Sequence, residues 1–223
     1  MMKAVCLISG GMDSSTLAYY ARREGYEILA LHANYGQRTE AKERSCAQKI
    51  ASLLEATDFT EIDLRYFENF GASSLTNRNM PVDRFDPARA HLPNTYVPFR
   101  NANLLAIATS YAEAKGADAI FIGVQALDYS GYPDCRPAFI DAFRKVIALG
   151  TKETTQIELF TPFITMTKTD ILWLGKDLRV PYEHTWSCYQ NEEKACGTCG
   201  SCHFRREAFA AIGEKDPIPY EVD

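Results

Sequence analysis

Five short apolar, β-rich runs alternate with helical segments along most of the chain, and that alternation restricts the fold to a parallel α/β sheet. The strand candidates are residues 3–9, 27–34, 59–64, 119–124 and 157–160. The run AIFIGV at 119–124 is apolar throughout, as a strand covered on both faces should be. Helical spacing recurs between them. Leu17, Ala18 and Ala21 share one face of 14–24, and Cys46, Ile50, Leu53 and Leu54 one face of 39–55. Leu104, Leu105, Ala108, Tyr111 and Ala112 form the apolar stripe of 101–115. Pro137 opens a further helix that Gly150 ends, and Thr167 with Asp170 can cap one running to Leu178. The expectation is a Rossmann-like, five-stranded parallel sheet with helices on both faces and right-handed connections. Ligands of such sheets sit at the carboxyl ends of the strands, at the point where strand order reverses.

Two stretches break the pattern. Residues 65–98 are polar and rich in Pro and Asn; a loop this long either covers a site or is a tolerated insertion. From Pro181 onward the alternation stops and cysteines gather.

The 223 residues suit one domain with a compact appendage. No apolar run approaches the roughly 18 residues that cross a bilayer, and the N-terminal apolar stretch is too short for an export signal. A cytoplasmic protein without a membrane partner is expected. The net charge of −5 gives no general attraction to nucleic acid, and none is expected as a partner.

The first strand runs into Ser9-Gly10-Gly11-Met12-Asp13-Ser14-Ser15, which opens the first helix. Unpaired amides and the positive helix end favour a phosphate there, and Gly10 and Gly11 let the main chain approach it. The spacing matches neither the lysine-bearing nucleotide loop nor the dinucleotide fingerprint. Lacking a lysine, the loop needs charge from elsewhere, and Lys168 and Arg100, each at a helix start, are the candidates. Asp13 would hold the loop's shape or face Mg2+.

Cys188, Cys196, Cys199 and Cys202 read C-x7-C-x2-C-x2-C, enough thiolates to close the tetrahedral shell of one structural Zn2+. Cys196, Cys199 and Cys202 also match part of an iron–sulfur run, which colour would separate from zinc. His184 and His203 are read as non-ligands, Cys6 and Cys46 as core residues, and Cys135 either as a plain loop thiol or as a nucleophile whose pKa Arg136 lowers. The chain thus divides into an α/β domain, 1–180, and a zinc-binding element packed on it, 181–223.

The run 123–137, GVQALDYSGYPDCRP, leaves the fourth strand and should face the phosphate loop. Asp128 and Asp134 can accept paired N–H donors from a guanine-like edge. Tyr129 can stack on a flat heterocycle, and Arg136 can pair with a carboxylate.

SGGMDSS resembles the SGG-x-DS loop of the PP-loop ATP pyrophosphatases. With GVQALDYSGYPDCRPAFI, WSCYQNEEKACGTCGSC and YVPFRNANLL, the resemblance narrows to the QueC family of 7-cyano-7-deazaguanine synthases, in queuosine biosynthesis, and spans nearly the whole chain. Phe99 stands where many members have a small residue and Ala138 where many have glutamate. The resemblance implies a C–N-forming ligase with ATP as co-substrate and Mg2+ beside it. ATP would adenylate 7-carboxy-7-deazaguanine, ammonia would displace AMP to give an amide, and a second ATP would activate that amide for loss to the nitrile. Products would be AMP and pyrophosphate, or of the ADP type, depending on the step. Ile8, Ser9, Gly10, Gly11, Met12, Asp13, Ser14, Ser15 and Thr16 would hold the nucleotide, with Asp13, Ser14, Lys168 and Arg100 at the reacting phosphate. A homodimer is implied by the family alone. Two rivals stand beside this reading: a tRNA thiolase, against which the acidic charge counts, and a non-catalytic zinc ribbon, which would need no phosphate loop.

Overall fold

A computed structural model describes residues 2–126 and 131–222. Its centre is one parallel sheet of β1 (Lys3–Leu7), β2 (Glu27–Asn34), β3 (Asp58–Asp63), β4 (Ala119–Phe121) and β5 (Glu158–Phe160), in the order β3-β2-β1-β4-β5. Strand direction and count are those expected from the alternation. The order reverses between β1 and β4, so the crevice lies at their carboxyl ends.

Alternate residues of each strand serve opposite faces, which is the period-two rule of a pleated strand. Ala4 and Cys6 of β1 pack with Leu17, Ala18 and Ala21 of α1 (Met12–Arg23), Ala47 and Ile50 of α2 (Glu40–Leu53), and Ile171 of α5 (Lys168–Asp177). Val5 and Leu7 face the other way, onto Leu105 and Ala108 of α3 (Arg100–Lys115) and Ile140 and Ile147 of α4 (Pro137–Gly150). Cys6 is fully buried, and burial pushes its thiol pKa up. The Thr167–Asp170 capping box is present in full, satisfying two amides at the start of α5. β4 ends at Phe121, three residues before the apolar run does, because its neighbour β5 ends at Phe160; Ile122 N–H still reaches Phe160 O at 3.2 Å.

The segment after β3 begins with a 3-10 turn, Arg65–Phe70, and continues without regular elements to α3. Arg38 gathers it by donating from Nε to Ser74 O at 2.7 Å and from Nη2 to Asn77 O at 3.0 Å. It then crosses the C-terminal region, where Phe85 N–H meets Thr198 O at 2.9 Å and Phe85 stacks on His203 at 3.7 Å. Phe99 caps α3 with φ of +58°, a left-handed backbone that disfavours a bulky side chain.

The C-terminal region contributes α6 (Gly200–Ala211), a helix the alternation did not foresee. Arg205 of α6, 1% exposed, pairs bidentately with Asp216, at 2.7 Å from Nε and 3.0 Å from Nη2. Ile218 N–H and Tyr220 O–H complete the shell of that carboxylate, which binds the tail to the helix. Trp186 N–H donates to Gly10 O at 2.8 Å, so this region is stitched directly to the loop after β1.

Candidate active site

The loop between β1 and α1 is shaped by its own serines. Ser9 N–H donates to Ser14 Oγ at 3.1 Å, the two hydroxyls share a hydrogen bond at 2.9 Å, and Ser14 Oγ donates back to Gly11 O at 3.3 Å. Gly10 sits at φ +83°, where a Cβ would come within 2.4 Å of Glu43 O on α2. No side chain caps α1. Its first-turn amides therefore face the crevice with the positive end of the helix behind them, which is an anion site.

That crevice holds a cavity of about 270 Å³. Of the expected nucleotide residues, Ile8, Ser9, Gly11, Met12, Asp13 and Ser14 line it. Gly10, Ser15 and Thr16 stand behind the wall: Ser15 and Thr16 are fully buried, and Thr16 Oγ1 bonds Met12 O at 2.9 Å and Tyr182 Oη at 2.8 Å. Lys168 and Arg100 both reach the cavity from their helix starts. Lys168 Nζ donates to Asp13 Oδ2 at 2.5 Å. Arg100 Nη1 donates to Tyr35 Oη at 2.9 Å, and its guanidinium lies 5.0 Å from the centre of that ring. Burial works against the Arg100 charge, but Tyr35, Tyr132, Tyr189 and Asp134 outweigh it and leave the pKa raised. Burial also pushes the Tyr35 phenol up to about 12, against the pull of Arg100.

Among the described residues, four buried side-chain atoms have no hydrogen-bond partner; three of them, Asp13 Oδ1, Arg100 Nε and Gln125 Nε2, belong to residues that line this cavity, and the fourth is Ser15 Oγ behind its wall. Buried polar groups without partners cost about 1–3 kcal/mol each, so three of them around one cavity mark it as a ligand site.

The loop after β4 contributes differently from expectation. Asp134 is 3% exposed, and its Oδ2 accepts from Asn101 N–H at 2.9 Å, securing the start of α3. Arg136 is exposed and is not among the residues lining the cavity. Asp128 and Tyr129 lie outside the described residues. Cys135 is buried in the cavity wall, with Asn101 Nδ2 donating to its sulfur at 3.2 Å. Tyr35, Glu43, Gln125, Tyr132, Trp186, Tyr189 and Arg205 line the cavity without having been singled out from the sequence. The signal for Tyr35 was the polar run Tyr35-Gly36-Gln37-Arg38 at the carboxyl end of β2, ahead of α2. An adjoining cavity shares Asp13, Tyr132, Lys168, Tyr189 and Ser201 with the first. Asp83, Phe85, Asp86 and Arg89 of the long segment line it, so that segment forms part of the crevice.

The four cysteines of the C-terminal region place their sulfurs within 4.8 Å of one another, all buried. Backbone N–H groups of Gln190, Asn191 and Cys196 point at Cys188 Sγ, and that of Cys199 at Cys196 Sγ, at 3.3–3.4 Å. Such donors stabilise thiolate, and a compact set of four thiolates needs a cation among them. The residues therefore fit a soft metal in a closed shell. Cys46, 7% exposed, packs beside them in the apolar surround.

Against known proteins, residues 3–213 match the model of the family described as queuosine biosynthesis protein QueC. The chain is 70% identical over 220 residues to a 7-cyano-7-deazaguanine synthase of Methanosphaerula palustris, covering 99% of this chain and 100% of that one. It is 65% identical over 219 residues to the synthase of Methanospirillum hungatei, covering 98% and 100%. Among solved structures, NMN synthetase from Francisella tularensis shares the fold, with a TM-score of 0.53 at 17% identity over 96% of this chain and 78% of that one.

Proposed function

The chain belongs to the QueC family of queuosine biosynthesis, and from that membership we propose that it is an ATP-dependent, C–N-forming ligase that turns 7-carboxy-7-deazaguanine and ammonia into 7-cyano-7-deazaguanine. One observation carries the reading for this chain: the uncapped start of α1 opens into a cavity where Asp13, Arg100 and Gln125 each leave a buried polar atom without a partner.

The polyphosphate lies on the amides of Met12 to Ser14, with Ser9 and Ser14 holding the loop before them. Lys168 and Arg100 supply the cationic charge that the loop lacks. A carboxylate oxygen is a poor leaving group; transfer of AMP to it makes a good one, and donors already aimed at the phosphates stabilise the charge that grows on the departing pyrophosphate. Asp13 Oδ1 offers the hard oxygen that a Mg2+ ion accompanying ATP would take, and such an ion neutralises polyphosphate charge. The heterocycle occupies the junction of the two cavities, between Tyr132 and Tyr189, with Asp83, Asp86 and Arg89 as the polar residues of its side. Holding both reactants in one crevice removes much of the entropic cost of their meeting, up to about 7–11 kcal/mol in the best cases.

Residues 1–180 act as the nucleotide-binding unit and 181–223 as a zinc-binding element packed on it. Cys188, Cys196, Cys199 and Cys202 hold one Zn2+, which supplies a rigid four-point staple and no chemistry. The active form is a cytoplasmic homodimer, which sedimentation of the purified chain tests directly.

The decisive assay mixes the protein with ATP, 7-carboxy-7-deazaguanine and ammonium chloride and follows nucleotide products and the nitrile. AMP and pyrophosphate released only with the deazaguanine acid support the reading. ATP left intact in the complete mixture would remove it.

A further inference from the structure

Among the described residues lining the cavity, one acid is left unused by adenylation. Glu43 lies near the start of α2, on the helix that backs the phosphate loop at Gly10, and its side chain lines the cavity. The carboxylate is held at both oxygens: Thr39 Oγ1 donates to Oε1 at 2.6 Å, and Gln37 Nε2 to Oε2 at 3.3 Å. Gln37 is 1% exposed and fixed in turn by Tyr35 N–H, which donates to its Oε1 at 2.8 Å. A residue whose only task was to back the loop would not need an oriented carboxylate in the cavity.

The chemistry needs a base there. Ammonium, the form that prevails at neutral pH, must lose one proton to become the nucleophile. Attack on the acyl adenylate gives a C–NH3+ adduct, which loses a second proton as the C–O bond to AMP breaks and the amide forms. In the second stage the amide oxygen takes AMP from ATP and releases pyrophosphate. The resulting C(OAMP)=NH2+ group then loses its last two protons as its C–O bond breaks and the C≡N bond completes. Every proton leaves the same nitrogen, while the phosphate loop acts at phosphorus.

We propose that Glu43 is the proton acceptor at that nitrogen in both halves of the reaction, returning each proton to solvent between steps; this rests on the ligase reading above. Its surroundings suit the task. Burial pushes the carboxyl up to about 7, against the hydrogen bond from Thr39, the charge of Arg100 and the hydrogen bond from Gln37, while Glu192 of the C-terminal region pushes the same way. Tyr35 and Cys46 also feel its charge. An acceptor poised near neutrality takes a proton and gives it up again with little penalty either way.

The test separates phosphorus from nitrogen. Exchange of labelled pyrophosphate into ATP, with 7-carboxy-7-deazaguanine and no ammonium, reads adenylation alone; amide and nitrile formed with ammonium chloride read the later steps. E43Q is expected to keep exchange within roughly threefold of the wild type while losing about 100-fold in amide and nitrile formation. The wild-type rate of nitrile formation from added amide, a step that takes no ammonium, should fall below about pH 7, and exchange should not. An E43Q enzyme that forms the amide at the wild-type rate overturns the assignment. Should E43Q lose exchange as well, the wild-type profiles decide: parallel pH dependence of exchange and of nitrile formation from added amide overturns it, and an acid limb in nitrile formation alone supports it. Wild-type protein with no exchange at all removes the ligase reading, and this assignment with it.

Discussion

Lys168 at the start of α5 holds its ammonium on the carboxylate of Asp13, 155 residues away in the loop after β1. The pair is mostly shielded, with side chains 18% and 26% exposed, and it joins the starts of α1 and α5 in the wall of the crevice. It keeps a lysine beside the phosphate site without a lysine in the loop itself.

Removing either partner should cut AMP formation by about 100-fold or more, the scale seen when one aimed electrostatic donor is lost. The double variant D13A/K168A should fall little further than either single one, because the two act as a unit. The double variant should melt close to the wild type, whereas either single variant leaves one mostly shielded charge unpaired and should melt lower. Steady-state AMP release and thermal unfolding read both; full turnover by either single variant counts against the phosphate assignment.

Gly10→Ala should be costly. The added Cβ would lie 2.4 Å from Glu43 O and 2.9 Å from both Ala47 N and Cys46 Cβ, at a φ of +83°. Backbone atoms of α2 cannot move aside locally, so α1 and α2 must separate, at about 1–3 kcal/mol. Thermal unfolding should register that loss, and the ATP concentration for half-maximal rate should rise with it. A variant as stable as the wild type would contradict the packing of loop against α2.

Loss of the metal should reach the nucleotide site. Cys199→Ala removes one of four sulfurs, and metal content should drop well below that of the wild type. Trp186 packs in the same cluster as the cysteines and donates its N–H to Gly10 O. The variant should therefore bind ATP more weakly as well as melt lower. Elemental analysis identifies zinc or iron, and calorimetric titration with ATP checks the coupling; metal loss with unchanged ATP affinity would break it.

Glu43 should make stability depend on pH. Its folded pKa, raised from 4.5 to about 7, means that the folded chain holds this proton more tightly than the unfolded chain does. Stability from this group is therefore full below the unfolded value and is lost as pH rises through that window. E43Q removes the effect, so its melting temperature relative to the wild type should be higher at about pH 8 than at about pH 5. Equal differences at both pH values would show that the folded chain does not raise the Glu43 pKa.

Signals that are local in the chain were legible before folding. The Ser9–Ser15 loop declares itself because strand, glycines and helix start are contiguous, and the Thr167–Asp170 box because its partners lie three residues apart. The four sulfurs converge because three of them lie within seven residues and glycines permit the turns. Arg136 looked equally purposeful in its loop, yet its residue ends exposed, while Asp134 turns to the amide of Asn101. Nothing near residue 134 in the chain announces that amide.

The sequence by itself determined the parallel sheet, the phosphate loop and the sulfur cluster, because periodicity and short-range spacing are written along the backbone. The meeting of Glu43, Arg100, Tyr35 and Gln125 around one cavity was decided only by the tertiary structure. These residues leave four different elements, and side chains become neighbours there only once strand order and helix packing have fixed which carboxyl ends share a crevice.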